Sequence, residues 1–181
     1  MKRSIFIFLL CPFIFISAQQ SSNCFDIRIG AGGSFLGTGD MFALTVENEL
    51  NYKFNHFIAA STSLNFGKSD YGVFKSASFY QGNINIFLSP FKNTKQNDFR
   101  IGTGVSYWDV SDAWEESSIY VDNRFYYTYI FERSQSFGFN FIIENTYKIN
   151  NHYLLGIKAF TQNYINSSMN SGILIKIGYV F

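Results

Sequence analysis

Cysteine, proline and histidine each occur only twice in these 181 residues, and each scarcity excludes something. Cys11 falls inside an N-terminal apolar run, so Cys24 would be left as a lone thiol with no intramolecular disulfide available. One cysteine and two separated histidines, His56 and His152, are too few for a structural zinc site, and no metal or cofactor is expected. Pro12 and Pro90 are the only prolines, so no proline-rich linker divides the chain and one domain is expected. Net charge is small as well, with 14 basic residues against 13 acidic ones, which gives no electrostatic case for nucleic acid. After the first residues no stretch approaches about 18 consecutive apolar residues, so no transmembrane helix is expected there.

Aromatic residues, in contrast, are abundant. They make up 20% of the chain, with 22 Phe and 12 Tyr, while mean hydropathy stays near zero. A soluble core of this size has little use for so many rings, whereas a surface facing lipid with aromatic belts at both interfaces does. The N-terminus points the same way. Lys2 and Arg3 precede an apolar run from Ile5 to Ile16, and Ser17-Ala18 supplies small residues before Gln19. This is the layout of a secretory signal peptide, its core too short for the roughly 20 residues of a membrane-spanning helix. Residues 1–18 are expected to be removed, leaving 19–181 as the mature domain with 12 basic and 13 acidic residues. Neither cysteine has the context of a lipidation site.

Strict alternation runs through almost all of the mature chain and predicts strands. Residues 25–36 place Phe25, Ile27, Ile29, Ala31 and Phe35 opposite Asp26, Arg28 and Ser34. Residues 41–54 set Phe42, Leu44, Val46, Leu50 and Tyr52 against Thr45, Glu47, Glu49 and Asn51, with Asn48 breaking the apolar stripe. The same pattern recurs over 57–66, 77–88, 98–108, 136–149, 153–162 and 172–181, which makes eight strands. Residues 119–131 also alternate, but a ninth crossing would carry the C-terminus to the wrong side. They are expected to extend strands five and six as a β-ribbon beyond the membrane.

The apolar face is expected to meet lipid. Charges on the polar face sit in mid-strand and nearly balance, as an ion-paired lumen requires. Gly30, Gly32, Gly102, Gly104, Gly138, Gly156 and Gly178 share that face, where an eight-stranded interior is only just wide enough for side chains. Aromatic residues on the other face gather near strand ends, where interfacial girdles belong. Connections 55–56, 89–97 and 150–152 are assigned to the periplasmic side, and 37–40, 67–76, 109–135 and 163–171 to the exterior. That orientation rests mainly on the last two.

The chain closes on Tyr179-Val180-Phe181, alternating aromatics that resemble the assembly signal of bacterial outer-membrane barrels. With the signal peptide, the size and the eight strands, the mature chain resembles the small outer-membrane β-barrels of the OmpA-barrel and OmpX kind. The resemblance implies an all-β, eight-stranded antiparallel up-and-down transmembrane barrel in the outer membrane. It further implies outer-membrane lipid as surroundings, the barrel-assembly machinery as partner during insertion, and a monomer. It implies little about activity.

No catalytic motif emerges. Some eight-stranded barrels modify lipid A, and the deacylases among them resemble a His-x-Ser arrangement, but His56 and His152 lack a Ser two positions on and fall in periplasmic turns. Gly30-Ala31-Gly32-Gly33 is not followed by a helix, so it forms no phosphate site. Arg28, Glu47, Arg100, Glu144 and Lys158 are expected to form a lumen charge network, because unpaired buried charge is very costly. The long third external connection mixes acids with aromatics, and Trp114, Glu115, Glu116 and Tyr126 are its candidate recognition residues for an extracellular ligand, cationic or metal-bridged. The expected function is therefore a non-enzymatic outer-membrane protein with a structural or cell-surface interaction role. A narrow pore or solute channel and a lipid-modifying enzyme are the alternatives.

Overall fold

A computed structural model of the chain describes residues 25–37, 41–70, 75–91 and 96–181. The expected signal peptide and Cys24 lie outside the described residues, as do 38–40 and 71–74. Eight strands form the molecule: β1 (Phe25–Leu36), β2 (Met41–Lys53), β3 (Ile58–Asp70), β4 (Lys75–Leu88), β5 (Asn97–Val121), β6 (Arg124–Lys148), β7 (Tyr153–Tyr164) and β8 (Met169–Val180). Each pairs antiparallel with the next, and β8 closes on β1. The register fixes the stagger. From Asp26 it passes through Asn51, Ser61, Asn85, Gly104, Asn140, Gln162 and Asn170, and returns to β1 at Leu36, ten residues further along. Such a shear tilts the strands of a closed barrel by about 35–45°.

Within the barrel, burial alternates along the strands, with the polar parity inside. Apolar residues such as Ile29, Leu64, Ile84, Ile143 and Ile175 face outward. The arrangement is the inverse of a soluble barrel, and only a lipid surrounding hides that apolar surface from water. Rings collect in two belts. One lies at the end bearing both termini, with Phe25 against Tyr52 at 4.6 Å and Tyr179 between Tyr153 (5.6 Å) and Phe181 (5.2 Å). The other contains the pairs Phe35–Phe42, Phe66–Tyr80 and Tyr107–Phe137, at 5.5, 5.1 and 5.1 Å.

Two turns at the terminus-bearing end, after β2 and after β6, are short and locally encoded. The Asn55 side-chain oxygen accepts from the backbone N–H of Phe57 and Ile58 (2.8 and 2.9 Å), and that of Asn150 accepts from His152 and Tyr153 (both 2.8 Å). These are Asx turns, which mimic a backbone turn with a side chain. At the opposite end the strands run further than their apolar alternation. β3 continues to Asp70, β4 starts at Lys75, and only 165–168 separate β7 from β8. The expected loops 67–76 and 163–171 are thus mostly strand, and the fourth connection no longer supports the orientation. Above the lipid the outer face of a strand meets water, so Lys68 and Asp70 stand outward there while Ser69 stays buried inside, and the stretch pairs without needing an apolar outer parity.

The orientation rests instead on β5 and β6, each 25 residues long. β4 leaves β5 at Trp114, opposite Lys75, and β7 leaves β6 at Gly138, opposite Tyr164. Beyond those points the two strands continue alone as a ribbon, closed by Asp122 and Asn123 at φ 50° and 62°. Asp and Asn tolerate this left-handed conformation, and a two-residue turn of this hand matches the twist of paired strands. Residues 119–131 thus form the extension and not a ninth crossing.

Candidate functional site

Two places on this frame carry chemistry: the lumen and the ribbon. In the lumen, register brings together residues far apart in sequence. Glu144 on β6 accepts from Arg28 on β1, from Arg100 Nη2 on β5 at 2.9 Å, and from Lys176 Nζ on β8 at 3.2 Å. Glu49 takes Arg100 at 2.9 Å and Lys176 at 2.7 Å, while Glu47 takes Lys158 at 2.6 Å and Lys176 at 2.9 Å. Nearer the termini Arg28 also holds Asp26, and Lys53 holds Asp98. Among the described residues the lumen therefore sets Asp26, Glu47, Glu49, Asp98 and Glu144 against Arg28, Lys53, Arg100, Lys158 and Lys176, one cation for each anion. Arg28, Glu47, Arg100, Glu144 and Lys158 all belong to this assembly, and Glu49 and Lys176 hold its centre. The Arg100 guanidinium additionally lies 3.9 Å from the centre of the Phe87 ring.

Above the charges sits a layer of amides. Asn140 Nδ2 donates to Asn85 Oδ1 at 2.7 Å, Gln81 Nε2 to Asn83 Oδ1 at 2.8 Å, and Asn83 Nδ2 to Ser63 Oγ at 3.0 Å. Above that, Leu36, Met41, Phe79, Val110, Trp108 and Tyr164 form an apolar cap. Trp108 stacks on Tyr164 at 4.4 Å and 14° and leans on Phe79 at 6.0 Å. Trp108, the last residue of the expected strand 98–108, is a buried lumen residue, 2% exposed. Its parity matches Ser106 and Arg100, which is the signal that places it inside.

The ribbon has two unlike faces. On the face continuous with the barrel exterior, Phe125, Tyr127, Tyr129 and Phe131 form a ladder. Tyr120 packs against Phe125 at 4.7 Å, Phe125 lies 6.2 Å from Tyr127, and Tyr127 lies 6.5 Å from Tyr129. The other face carries Ile130 opposite Trp114, and Tyr126 opposite Ile119. The four sequence candidates are therefore not one site. Trp114 is half-buried where β4 ends, Tyr126 is exposed near the tip, and Glu115 lies across from Tyr129 on the ladder face. Glu116 sits in a bulge, where the register slips between Glu115 and Ser117. Among the described residues no group of three or more His, Cys, Asp or Glu is placed to hold a metal ion. At the ribbon base, Arg133 donates to Asp109 (2.8 and 2.5 Å) and Gln135 adds a third bond at 2.9 Å. The hydrogen bond from Arg133 holds the Asp109 carboxyl below the usual carboxylate range.

Among the described residues the histidines meet no nucleophile. His152 stacks on Tyr179 at 5.5 Å with Nδ1 3.3 Å from the Val180 carbonyl, and His56 is exposed in a turn. A cavity of about 440 Å³ is an apolar groove on the lipid face lined by Ile58, Ile86, Leu88, Ile101, Thr103 and Phe141.

No family model and no curated protein matches the chain. Solved structures do. Neisserial surface protein A is 10% identical with a TM-score of 0.63, covering 90% of this chain and 100% of its own. The attachment invasion locus protein Ail of Yersinia pestis is 10% identical with a TM-score of 0.59, covering 88% of this chain and 100% of its own. The outer-membrane protein OprG of Pseudomonas aeruginosa is 11% identical with a TM-score of 0.59, covering 88% and 97%. The fold of this chain is that of the small eight-stranded outer-membrane β-barrels, of the OmpA and OmpX type that its sequence resembles.

Proposed function

We propose that the protein is a non-enzymatic surface-recognition barrel of the outer membrane, with the β5–β6 ribbon as its recognition element. The single observation behind this reading is the ribbon itself, which extends both strands beyond their outer neighbours and exposes aromatic rings on both faces. From Tyr107 in the outer girdle to Tyr120 the strand runs about 44 Å at 3.4 Å per residue, so even tilted it stands well clear of the lipid. Exposed aromatic surface of this extent, on a rigid scaffold, is characteristic of interaction sites. The barrel wall has no comparable freedom, since one face meets lipid and the other fills the lumen.

The lumen speaks for scaffold and against a channel. Paired charges, amides and an aromatic cap succeed one another along its axis, and an eight-stranded barrel leaves little space beyond its own side chains. Ail of Yersinia pestis has been solved with the heparin analogue sucrose octasulfate. A polyanion suits this ribbon poorly, because Asp112, Glu115, Glu116, Asp122 and Glu132 outnumber Arg124 and Arg133. A neutral or cationic surface suits it better. The test is to replace residues 115–129 with a two-residue Asn-Gly turn and confirm insertion by heat-modifiable gel migration. Surface adhesion is then compared with wild type. Adhesion lost with the ribbon supports the reading, and unchanged adhesion by the inserted, shortened barrel overturns it.

A further inference from the structure

The two edges of the ribbon are not alike. The β5 edge carries a bulge at Glu115–Ser117 and two adjacent carboxylates, the devices by which edge strands avoid pairing. The β6 edge has no such guard. From Phe125 to Phe131 it reads Phe-Tyr-Tyr-Thr-Tyr-Ile-Phe, seven residues of high β-propensity with no charge, no proline and no glycine. Phe125, Tyr126 and Phe131 are 60%, 58% and 77% exposed. Such a segment on a free edge is a template for another strand. Further down β6, the carbonyl of Phe137 accepts from Ile165 N at 2.9 Å, so odd-numbered residues direct their backbone groups away from β5. Carried along the strand, this alternation leaves Phe125, Tyr127, Tyr129 and Phe131 with N–H and C=O at the open edge.

From this edge we infer that the ribbon binds a second copy of itself, antiparallel and centred on Thr128, joining barrels in two apposed membranes. The inference rests on the ribbon being the recognition element and names its partner. The segment is self-complementary about Thr128. In that register Phe125 faces Phe131 of the other copy and Tyr127 faces Tyr129, both as backbone-bonded pairs with aromatic partners across strands. Tyr126 faces Ile130 and Thr128 faces itself. Immediately outside, Arg124 stands opposite Glu132 at each end, and among the described residues neither has an ion-pair partner in its own chain. An isologous contact repeats every such pairing twice.

Charge also selects the geometry. Two copies in one membrane would present β6 in the same axial sense, and a parallel in-register pairing sets Arg124 by Arg124 and Glu132 by Glu132. Antiparallel pairing turns both into opposite-charge contacts. It requires a two-fold axis across the ribbon, and ribbons standing away from their bilayers then meet only from opposed membranes. The protein is on this view a homotypic adhesion element, a monomer in its own membrane that pairs across the gap.

The test uses the full barrel in phosphatidylcholine vesicles, with clustering followed by light scattering. Wild-type vesicles should cluster, and R124E or E132R alone should each slow clustering by about tenfold, since both ends turn from attraction to repulsion. Mixing R124E vesicles with E132R vesicles should restore it. One copy then carries acids at both positions and the other carries bases at both, so each end of the pairing is again acid against base. Tyr127→Pro removes a donor from the open edge without taking a bond from β5, and should abolish clustering even in the mixture. Heat-modifiable migration certifies that each variant is folded. Dispersed wild-type vesicles, clustering indifferent to the charge reversals, or no rescue on mixing would each overturn self-pairing. If wild-type vesicles stay dispersed while deletion of the ribbon still abolishes adhesion, self-pairing falls and recognition by the ribbon stands.

Discussion

Replacing Glu144 by Gln tests whether the lumen behaves as a sealed, ion-paired interior. The side chain is fully buried and accepts from Arg28 and Arg100 on one oxygen and from Lys176 on the other. Glutamine keeps one acceptor for the two guanidinium groups, but turns an NH2 toward the ammonium of Lys176, donor against donor. One charge-assisted bond is lost, of about 1.5–3 kcal/mol, and the lumen acquires one uncompensated positive charge. Breaking a buried pair from one side costs about 3–5 kcal/mol in total. At a urea slope of about 2 kcal/mol per molar, the unfolding midpoint should fall by about 2 M.

The second arm of that experiment is Lys176→Met. Alone it leaves Glu47, Glu49 and Glu144 short of a shared cation and should be comparably destabilising. Combined with Glu144→Gln it restores neutrality, and the double variant should lie within about 1 kcal/mol of wild type, because an ion pair and its apolar substitute are near break-even. The assay is denaturant unfolding of the barrel in lipid vesicles, followed by tryptophan emission, to which Trp108, buried in the cap, contributes. A midpoint for Glu144→Gln equal to wild type would refute the reasoning, since it would mean that these charges see solvent as surface pairs do.

Three further outcomes are expected. Phe181→Asp places a charge on the lipid face near an interface, where the folded state loses about 1 kcal/mol or less; insertion in cells should fall far more than refolding in vitro, and equal insertion of variant and wild type would show the aromatic to be incidental. Planar bilayers should record no sustained porin-like conductance from wild type or from Trp108→Ala, because the ion cluster below the cap closes the lumen a second time. Asp109 has a depressed carboxyl pKa, so its bond to Arg133 steadies the ribbon base above the ordinary carboxylate range and is lost as pH falls through the lowered value; amide exchange near Arg133 should quicken only in that acid window, and Asp109→Asn should remove the dependence.

Alternation made the barrel legible because the same two-residue period that sends side chains to opposite faces also has to separate lipid from lumen. Glu47, Glu49 and Lys176 could be placed inside on parity alone. Which charge meets which could not, since Arg28 and Glu144 are 116 residues apart and the stagger around the ring sets their height. Strand ends are less legible for a related reason. Apolar parity is imposed only where lipid is present, so Lys68-Ser69-Asp70 and the residues leading into β8 carried no sign that they pair.

The ribbon was half legible, and what hid the rest is a single residue. Up to Glu115 the outward parity of β5 is odd, matching Tyr107 and Asp109, but the bulge between Glu115 and Ser117 shifts it, so that Ser118 and Tyr120 continue the same face. Across 109–121 the chain therefore shows no continuous period and reads as an irregular loop, whereas uninterrupted β6 keeps Phe125, Tyr127, Tyr129 and Phe131 in phase with Phe137 and Phe139. The bulge and the acids beside it belong to the protected edge, and the clean alternation belongs to the open one. Sequence regularity in this segment thus marks the strand left free to pair, but only the departure of β7 at Gly138 identifies it as an edge. Without that departure the same seven residues would read as an ordinary interior strand, already paired on both sides.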